Sequence, residues 1–282
     1  MPWSRHIAVA AAGFISLVLQ SVLLRELLTA SSGNELDIGI TLAIWLLSVG
    51  AGSFTGERVS ARWAFGASFI LLSAIAVPTL WAIPHVLEAL GVVSGETVSL
   101  KNTFQLTLIV LLPACFVVGL QFPLAVAAFR EEVAQDGQGV QDGYVSLVYG
   151  LEALGAFAGG LVFAFVISGR LMPEVTVAGI GVLAAITGAV LLGRKELFAA
   201  CLLPLAAFAA LIWTAPYEWM GGEIITRAQS RYSEILVTKR EGQYNFISSG
   251  KPAFSYPDSE TVEMAVHLPM ALHPNPYRVL NV

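Results

Sequence analysis

The residues of this chain with the most chemistry in them stand where chemistry is expensive. Arg25-Glu26, Asn34-Glu35, Gln121 and Glu152 all lie in or beside long apolar stretches. A charge at the centre of a bilayer costs about 2.5–3.5 kcal/mol on insertion scales, so such a side chain needs an ion partner, a proton or a task. Glu152 sits well inside its run and is the strongest candidate. Two readings stand for it: a buried ion pair that fixes helix order, most simply with Arg25, or a proton or substrate relay. Arg25-Glu26 closes the first run, where long side chains reach the interface cheaply. Gln121 precedes Pro123 in the fourth. No Ser/His/Asp, Cys/His or metal-ligand grouping appears anywhere, so no catalytic residue and no metal are expected. His267 reads as a structural residue of a helix. Cys115 and Cys201, each inside an apolar run, read as small apolar fillers rather than a disulfide.

The elements that must position these residues follow from composition. The 282 residues are 56% hydrophobic and 12% charged, against roughly 45–50% and 25% in soluble domains. A net charge of −5 with scattered basic residues argues against nucleic acid. Seven apolar runs approach the length of roughly 17–25 residues that crosses a bilayer: 7–28, 38–55, 65–90, 104–129, 144–168, 175–192 and 197–213. The first is too long for a signal-peptide core and reads as an uncleaved span. Pro78 and Pro84 predict a kink or a re-entrant segment in the third. Gly52 with Gly56, and Gly155 with Gly159 and Gly160, have the spacing that lets helix backbones approach, and read as packing faces. Arg5, Arg58, Arg62, Arg130, Arg194 and Lys195 fall on one side of these runs, Lys101 and Arg170 on the other. The positive-inside rule puts the N-terminus in the cytoplasm and, with seven spans, the tail outside.

Near residues 216–222 the character changes. Alternation at 232–238 and 244–247, with Gly242 between, predicts a β-hairpin. A helix is expected over 260–270. Tyr277-Arg278-Val279-Leu280 then looks like the beginning of a strand. The expected organisation is a helical membrane domain at 1–216, a small β-rich domain at 217–276, and at 277–282 the first strand of an incomplete Rossmann-like domain.

Two resemblances attach to these residues. The run from Gly52-Ser53-Phe54-Thr55-Gly56 through Glu57-Arg58-Val59-Ser60-Ala61-Arg62 is similar to the acidic–basic loop between the second and third spans of major facilitator transporters. The membrane part therefore resembles half of such a transporter. The whole layout resembles the membrane-fused branch of the spermidine synthase-like family, the polyamine aminopropyltransferases and their relatives. Matching residues are Gln20, Leu24-Arg25-Glu26-Leu27-Leu28 and Gly33-Asn34-Glu35-Leu36, then Tyr149, Glu152 and Gly155. In the tail they are Ser230-Arg231-Tyr232, Ile235, Gly250, Asp258, Glu263, His267-Leu268-Pro269, His273-Pro274 and Pro276 through Leu280.

This resemblance implies a Rossmann-like transferase that uses S-adenosylmethionine or its decarboxylated form, with Tyr232, Asp258 and Glu263 on the substrate. Ser233, Ala253, Thr261 and Val262 depart from the family pattern at positions that contact polyamine and nucleoside. A cationic amine needs carboxylates and acceptors, and these four supply little of that. The Gly-rich loop and acidic residues that would hold the cofactor are expected beyond Val282. The expectation is thus a multi-pass protein of the inner cell membrane that binds no cofactor alone. Its partners would be lipid, a polypeptide supplying the Rossmann-like domain, or further copies of itself. Two alternatives remain: a transporter-like module with a regulatory or docking tail, and a scaffold that binds a protein through an exposed β edge.

Overall fold

In a computed structural model of the chain, the described residues are 2–31, 35–59, 63–92, 98–135, 143–194, 199–214, 223–230, 234–248 and 251–272. The apolar runs form helices because a backbone in lipid must satisfy its polar groups internally. These are α1 (Pro2–Ala30), α2 (Glu35–Gly56), α3 (Ala64–Ala89), α4 (Leu100–Gln135), α5 (Gly143–Val162), α6 (Pro173–Leu192) and α7 (Leu202–Thr214). Six of them are long and apolar enough to cross a membrane. The expected seventh run forms only the 13-residue α7, about 20 Å at the usual helical rise. Despite Pro78 and Pro84, α3 is one continuous 26-residue helix and not a re-entrant pair. A single π turn, Phe163–Ile167, extends α5. Pro173 at the first turn starts α6, and Gly193 in the left-handed conformation (φ 64°) ends it.

Three helix pairs build the membrane unit: α1 with α5, α2 with α4, and α3 with α6. The glycines explain two of them. A methyl group at Gly155 would strike the Ala10 carbonyl, and one at Gly13 the Glu152 carbonyl. In the second pair, Gly52 lies on the Phe116 carbonyl, Gly119 on that of Val49, and Gly56 on Pro123. The packing faces expected from Gly52/Gly56 and Gly155/Gly159 are therefore present, each meeting one glycine of a partner helix. Residue numbers rise together across both contacts, so α1 runs parallel to α5 and α2 parallel to α4. Gly66 against Leu192 and Gly181 against Ser73 make α3 and α6 antiparallel. Arg5 on the Ala128 carbonyl at 3.0 Å, with Gln20 and Leu24 beside Leu111 around one small cavity, makes α1 and α4 antiparallel too. Exchanging α1–α3 with α4–α6 maps this pairing onto itself, as in an inverted repeat. The core between the helices includes Ile15, Leu23, Phe69, Leu72, Leu106 and Leu111. α2 and α5, equivalent under the exchange, are the least buried: 22% and 17% of their apolar windows, against at least 50% elsewhere.

The second unit holds Pro216–Ala228 and Glu234–Val282; Gln229–Ser233 belong with the helices. Its antiparallel sheet has the order β1 (Glu223–Gln229), β2 (Glu234–Arg240), β3 (Gln243–Ser248), β4 (Lys251–Tyr256). The predicted hairpin is β2–β3, closed by Glu241-Gly242, both at positive φ (50° and 88°). Two residues in that conformation match the twist of the strands they join, and Gly242 makes it inexpensive. Phe246 stacks on its cross-strand partner Phe254 at 4.3 Å. Helix α8 (Ser259–Leu272) follows. The expected strand at 277–282 lies outside the described residues.

Candidate functional site

Glu152 is placed by α5, whose residues 152, 155, 156 and 159 recur at helical spacing and face α1. Gly155 meets Ala10 and Gly13 meets Glu152, so Glu152 lies level with the N-terminal half of α1. Arg25 is twelve residues past Gly13 (25 − 13), about 18 Å further along the helix axis. The expected Arg25–Glu152 pair is therefore not formed. In a parallel helix pair a residue meets its partner at equal depth, and these two sit near opposite ends. Among the described residues the Glu152 carboxylate has no ion-pair or hydrogen-bond partner. Arg5 is the arginine of α1 that lies on Glu152's half of the helix.

Gln121 reaches the same depth from the other side. From the Arg5–Ala128 contact, two turns along each antiparallel helix bring Gln121 level with Ala12, on the face of α4 that bears Ala128. Gln121 is 2% exposed, and neither its amide nitrogen nor its oxygen has a partner. The structure thus gathers the singled-out polar residues of the fourth and fifth runs at one depth beside α1. A buried primary amide and a half-buried carboxylate can together accept a proton or hold a cationic group. A lone buried amide costs about 1–3 kcal/mol when nothing satisfies it.

The other candidates lie elsewhere. Arg25 donates to the Ser230 carbonyl at 2.9 Å, and its guanidinium also meets the Gln229 side-chain oxygen once that amide is turned to accept it. Arg25 is thus taken up by the Ser230 backbone and the Gln229 side chain, at the end of α1 remote from Arg5. Glu26 is part-buried one position on and has a partner of its own. Glu35 begins α2 and is exposed. In the tail, Asp258 immediately precedes α8, where an aspartate commonly accepts backbone N–H groups of the first turn. Glu263 is exposed on α8. Tyr232 and Ser233 lie outside the described residues. Cys115 is buried and free, and Cys201 is half-buried and free. Among the described residues no group of three His, Cys, Asp or Glu could hold a metal.

One residue was overlooked. Asp37 follows Glu35 by two positions, which on a helix turns it to the opposite face, and it is fully buried. The signal was available: 37, 41, 44 and 48 form one helical stripe, all buried. No protein-family model, no curated protein and no solved structure matches this chain.

Proposed function

We propose that this chain is the membrane and lid portion of a membrane-fused, spermidine synthase-like protein. In this reading it serves an S-adenosyl-dependent transfer of the aminopropyl kind. The observation that supports it is the order of elements: a six-span bundle, a four-stranded antiparallel meander, then a helix opening at Asp258 and carrying Glu263. That order is the one the resemblance implies. α8 adds weight, because its described side chains at 263–267 are all exposed, the kind of surface a further domain would cover. A Rossmann-like domain is the surface the family would supply. The protein would sit in the inner cell membrane.

A photoactivatable spermidine analogue on membranes from producing cells tests this. Labelling should fall within 223–272 and be competed by free spermidine. Loss of a charge-assisted contact is worth about 1.5–3 kcal/mol, so Asp258→Asn with Glu263→Gln should cut labelling roughly tenfold. Labelling that is absent, or unchanged in the double variant, would remove the reading.

A second reading is favoured by a different observation. The exchange symmetry of the helix pairs is that of the inverted repeats in major facilitator halves, whose sites lie near the bilayer midplane. Glu152 and Gln121 share one level inside the bundle, beside the N-terminal half of α1. The membrane unit would then be a transport module, with the tail as a docking piece. Uptake into proteoliposomes that Glu152→Gln abolishes, and tail substitutions spare, would favour this reading over the first.

A further inference from the structure

The cavity where α1, α2 and α4 converge is lined by Gln20, Leu24, Thr41, Leu42, Trp45 and Leu111. It is a recess of about 190 Å³, part of it open to the outside. Burial sets its floor and its rim. Leu111 of α4 is 2% exposed and Thr41 3%, whereas Leu42 is 38% exposed. Gln20, Leu24 and Trp45 are half-buried. The recess therefore runs inward from the outer surface of α2, the helix that, with α5, the bundle covers least. Gln20 stands ten residues before Ala30, the end of α1, and Trp45 ten after Glu35, the start of α2. Both are thus about 15 Å in from the helix ends. In helices long enough to cross a membrane, that depth falls within a hydrocarbon layer about 30 Å thick.

Two polar groups of the wall are left over. Among the described residues, neither the Gln20 amide nor the Trp45 indole N–H has a hydrogen-bond partner. Such groups normally find one when water is excluded, and lipid tails offer none. Thr41 gives its hydroxyl hydrogen to the Asp37 carbonyl at 2.7 Å and keeps only lone pairs. The uncommitted hydrogens are therefore the two of the Gln20 amide and the one of the indole. A wall rich in donors calls for an acceptor. No lining residue is ionisable. Arg25, Glu26 and Asp37, the charged residues nearest in sequence on α1 and α2, each have a partner of their own. A charged guest would lose its water and meet no counter-charge, so the recess suits a neutral one.

We propose that this recess binds a neutral carbonyl compound dissolved in the bilayer, such as a long-chain ketone. Its C=O oxygen accepts from Gln20 and Trp45, and its chain lies against Leu24, Leu42 and Leu111. Three features select this class. The polar wall offers donors, the rest of the wall is apolar, and the way in is sideways through the lipid. Phospholipids are a poor match, because their ester carbonyls are held beside the headgroups, far from this depth. A plain alkane fills the apolar part and leaves both donors unmet, which is costly in a medium without water. Gln20 is eight residues past Ala12, the level of Gln121, so about 12 Å further along α1. The site is thus separate from Glu152 and Gln121 and rests on neither reading of the function.

The test is photolabelling of the full chain in phosphatidylcholine vesicles with a long-chain ketone that carries a diazirine, the labelled residues being located by mass spectrometry. Label should saturate and fall on 20–24 and 41–45. Unlabelled ketone should compete, and the alkane of equal length should not. Gln20→Leu keeps the bulk and removes the amide, and Trp45→Phe keeps a ring and removes the N–H. Each should weaken ketone competition about fivefold, the effect of one neutral hydrogen bond. Gln20→Leu places one more apolar side chain in an apolar helix, so it should fold. If Trp45→Phe does not, Gln20→Leu alone decides. Labelling spread over the lipid-facing leucines, equal competition by alkane and ketone, or competition unchanged by Gln20→Leu would overturn the site. The recess would then be a gap that acyl chains fill.

Discussion

The two units are held together in opposite ways. In the helical unit the backbones themselves touch: Gly13, Gly52, Gly119 and Gly155 lie directly on the main chain of a neighbouring helix. The β/α unit has Val237, Thr238 and Ile247 as its buried side chains among the described residues, and is otherwise joined by cross-strand pairs. Lipid tails are as apolar as leucine, so helices in a membrane gain by close fit and not by burial. A small sheet in water has no such option and must bury apolar area, of which about 60 residues supply little. The difference teaches that the first unit is specified by shape and the second by whatever covers it.

The sharpest way to break the comparison is to spoil the fit. Gly155→Leu and Gly52→Leu should each prevent recovery of folded, monodisperse protein. Overpacking ordinarily costs about 1–3 kcal/mol because side chains can shift, but here the opposing atoms are backbone. Phe254→Ala, which removes the stacked pair of the sheet, should leave detergent-solubilised protein monodisperse. Size-exclusion profiles compare them; a normal profile for Gly155→Leu would mean the helices are not in the contact described. Next in size, limited proteolysis should cut the β/α unit first and leave a protected fragment ending near Ala215, since cleavage follows local opening and the sheet has few buried contacts to resist it. Equal protection of both units would mean that the sheet is covered in the purified protein.

Orientation sharpens the comparison further. Arg194 follows the end of α6 that meets Gly66 at the start of α3, whereas Ser230 lies beside Arg25 at the far end of α1. Arg194 and Ser230 therefore lie at opposite ends of the helical unit, and the segment between them contains α7. Reporters fused after Arg194 and after Gly222 should report opposite compartments; matching signals would exclude α7 as a crossing. The sign of the result separates the two functions. A transferase that uses an S-adenosyl cofactor needs the Gly222 reporter in the cytoplasm, whereas the loop charges put Arg5 and Arg194 there.

Much of the membrane unit was legible, and the reason is physical. Composition and run length announce a span, and small-residue spacing announces a contact face. Both depend only on residues close in sequence. The hairpin was legible for the same reason, since Gly242 between two alternating runs is a local signal. Depth was not legible. Arg25 and Glu152 were a reasonable pair by charge, but whether two spans pack parallel, and in what register, depends on residues such as Gly13 and Ala10 that carry no polar mark. Asp37 carries no mark that sets it apart from Glu35 in the sequence, although a two-residue step on a helix reverses the face. The tail's substrate residues stay dispersed. Asp258 stands at a helix start, Glu263 is exposed, and Tyr232 falls outside the described residues, so family resemblance alone assembles them.

The corrected depth makes a smaller prediction. In a double-mutant cycle, Glu152→Gln and Arg25→Gln should be additive within about 0.5 kcal/mol, as expected for sites that share no partner. Glu152→Gln with Arg5→Gln should couple beyond that limit, because Arg5 lies on Glu152's half of α1. Denaturation in detergent measures both. Coupling to Arg25 and not to Arg5 would mean that the α1–α5 register is wrong.

The smallest effect belongs to the sheet. Arg227 on β1 and Glu234 on β2 form an ion pair, each side chain about one quarter exposed. Such pairs are screened and typically contribute about 0–1 kcal/mol. Arg227→Ala should therefore shift unfolding of the β/α unit by less than about 1 kcal/mol at low salt, and by less still at 1 M salt, where the Debye length falls to about 3 Å. The helical unit should not respond at all. A larger, salt-independent loss would show that the arginine's aliphatic stem, and not its charge, packs the edge of the sheet. The second unit would then have more of a core than Val237, Thr238 and Ile247 provide, and the contrast between the units would narrow.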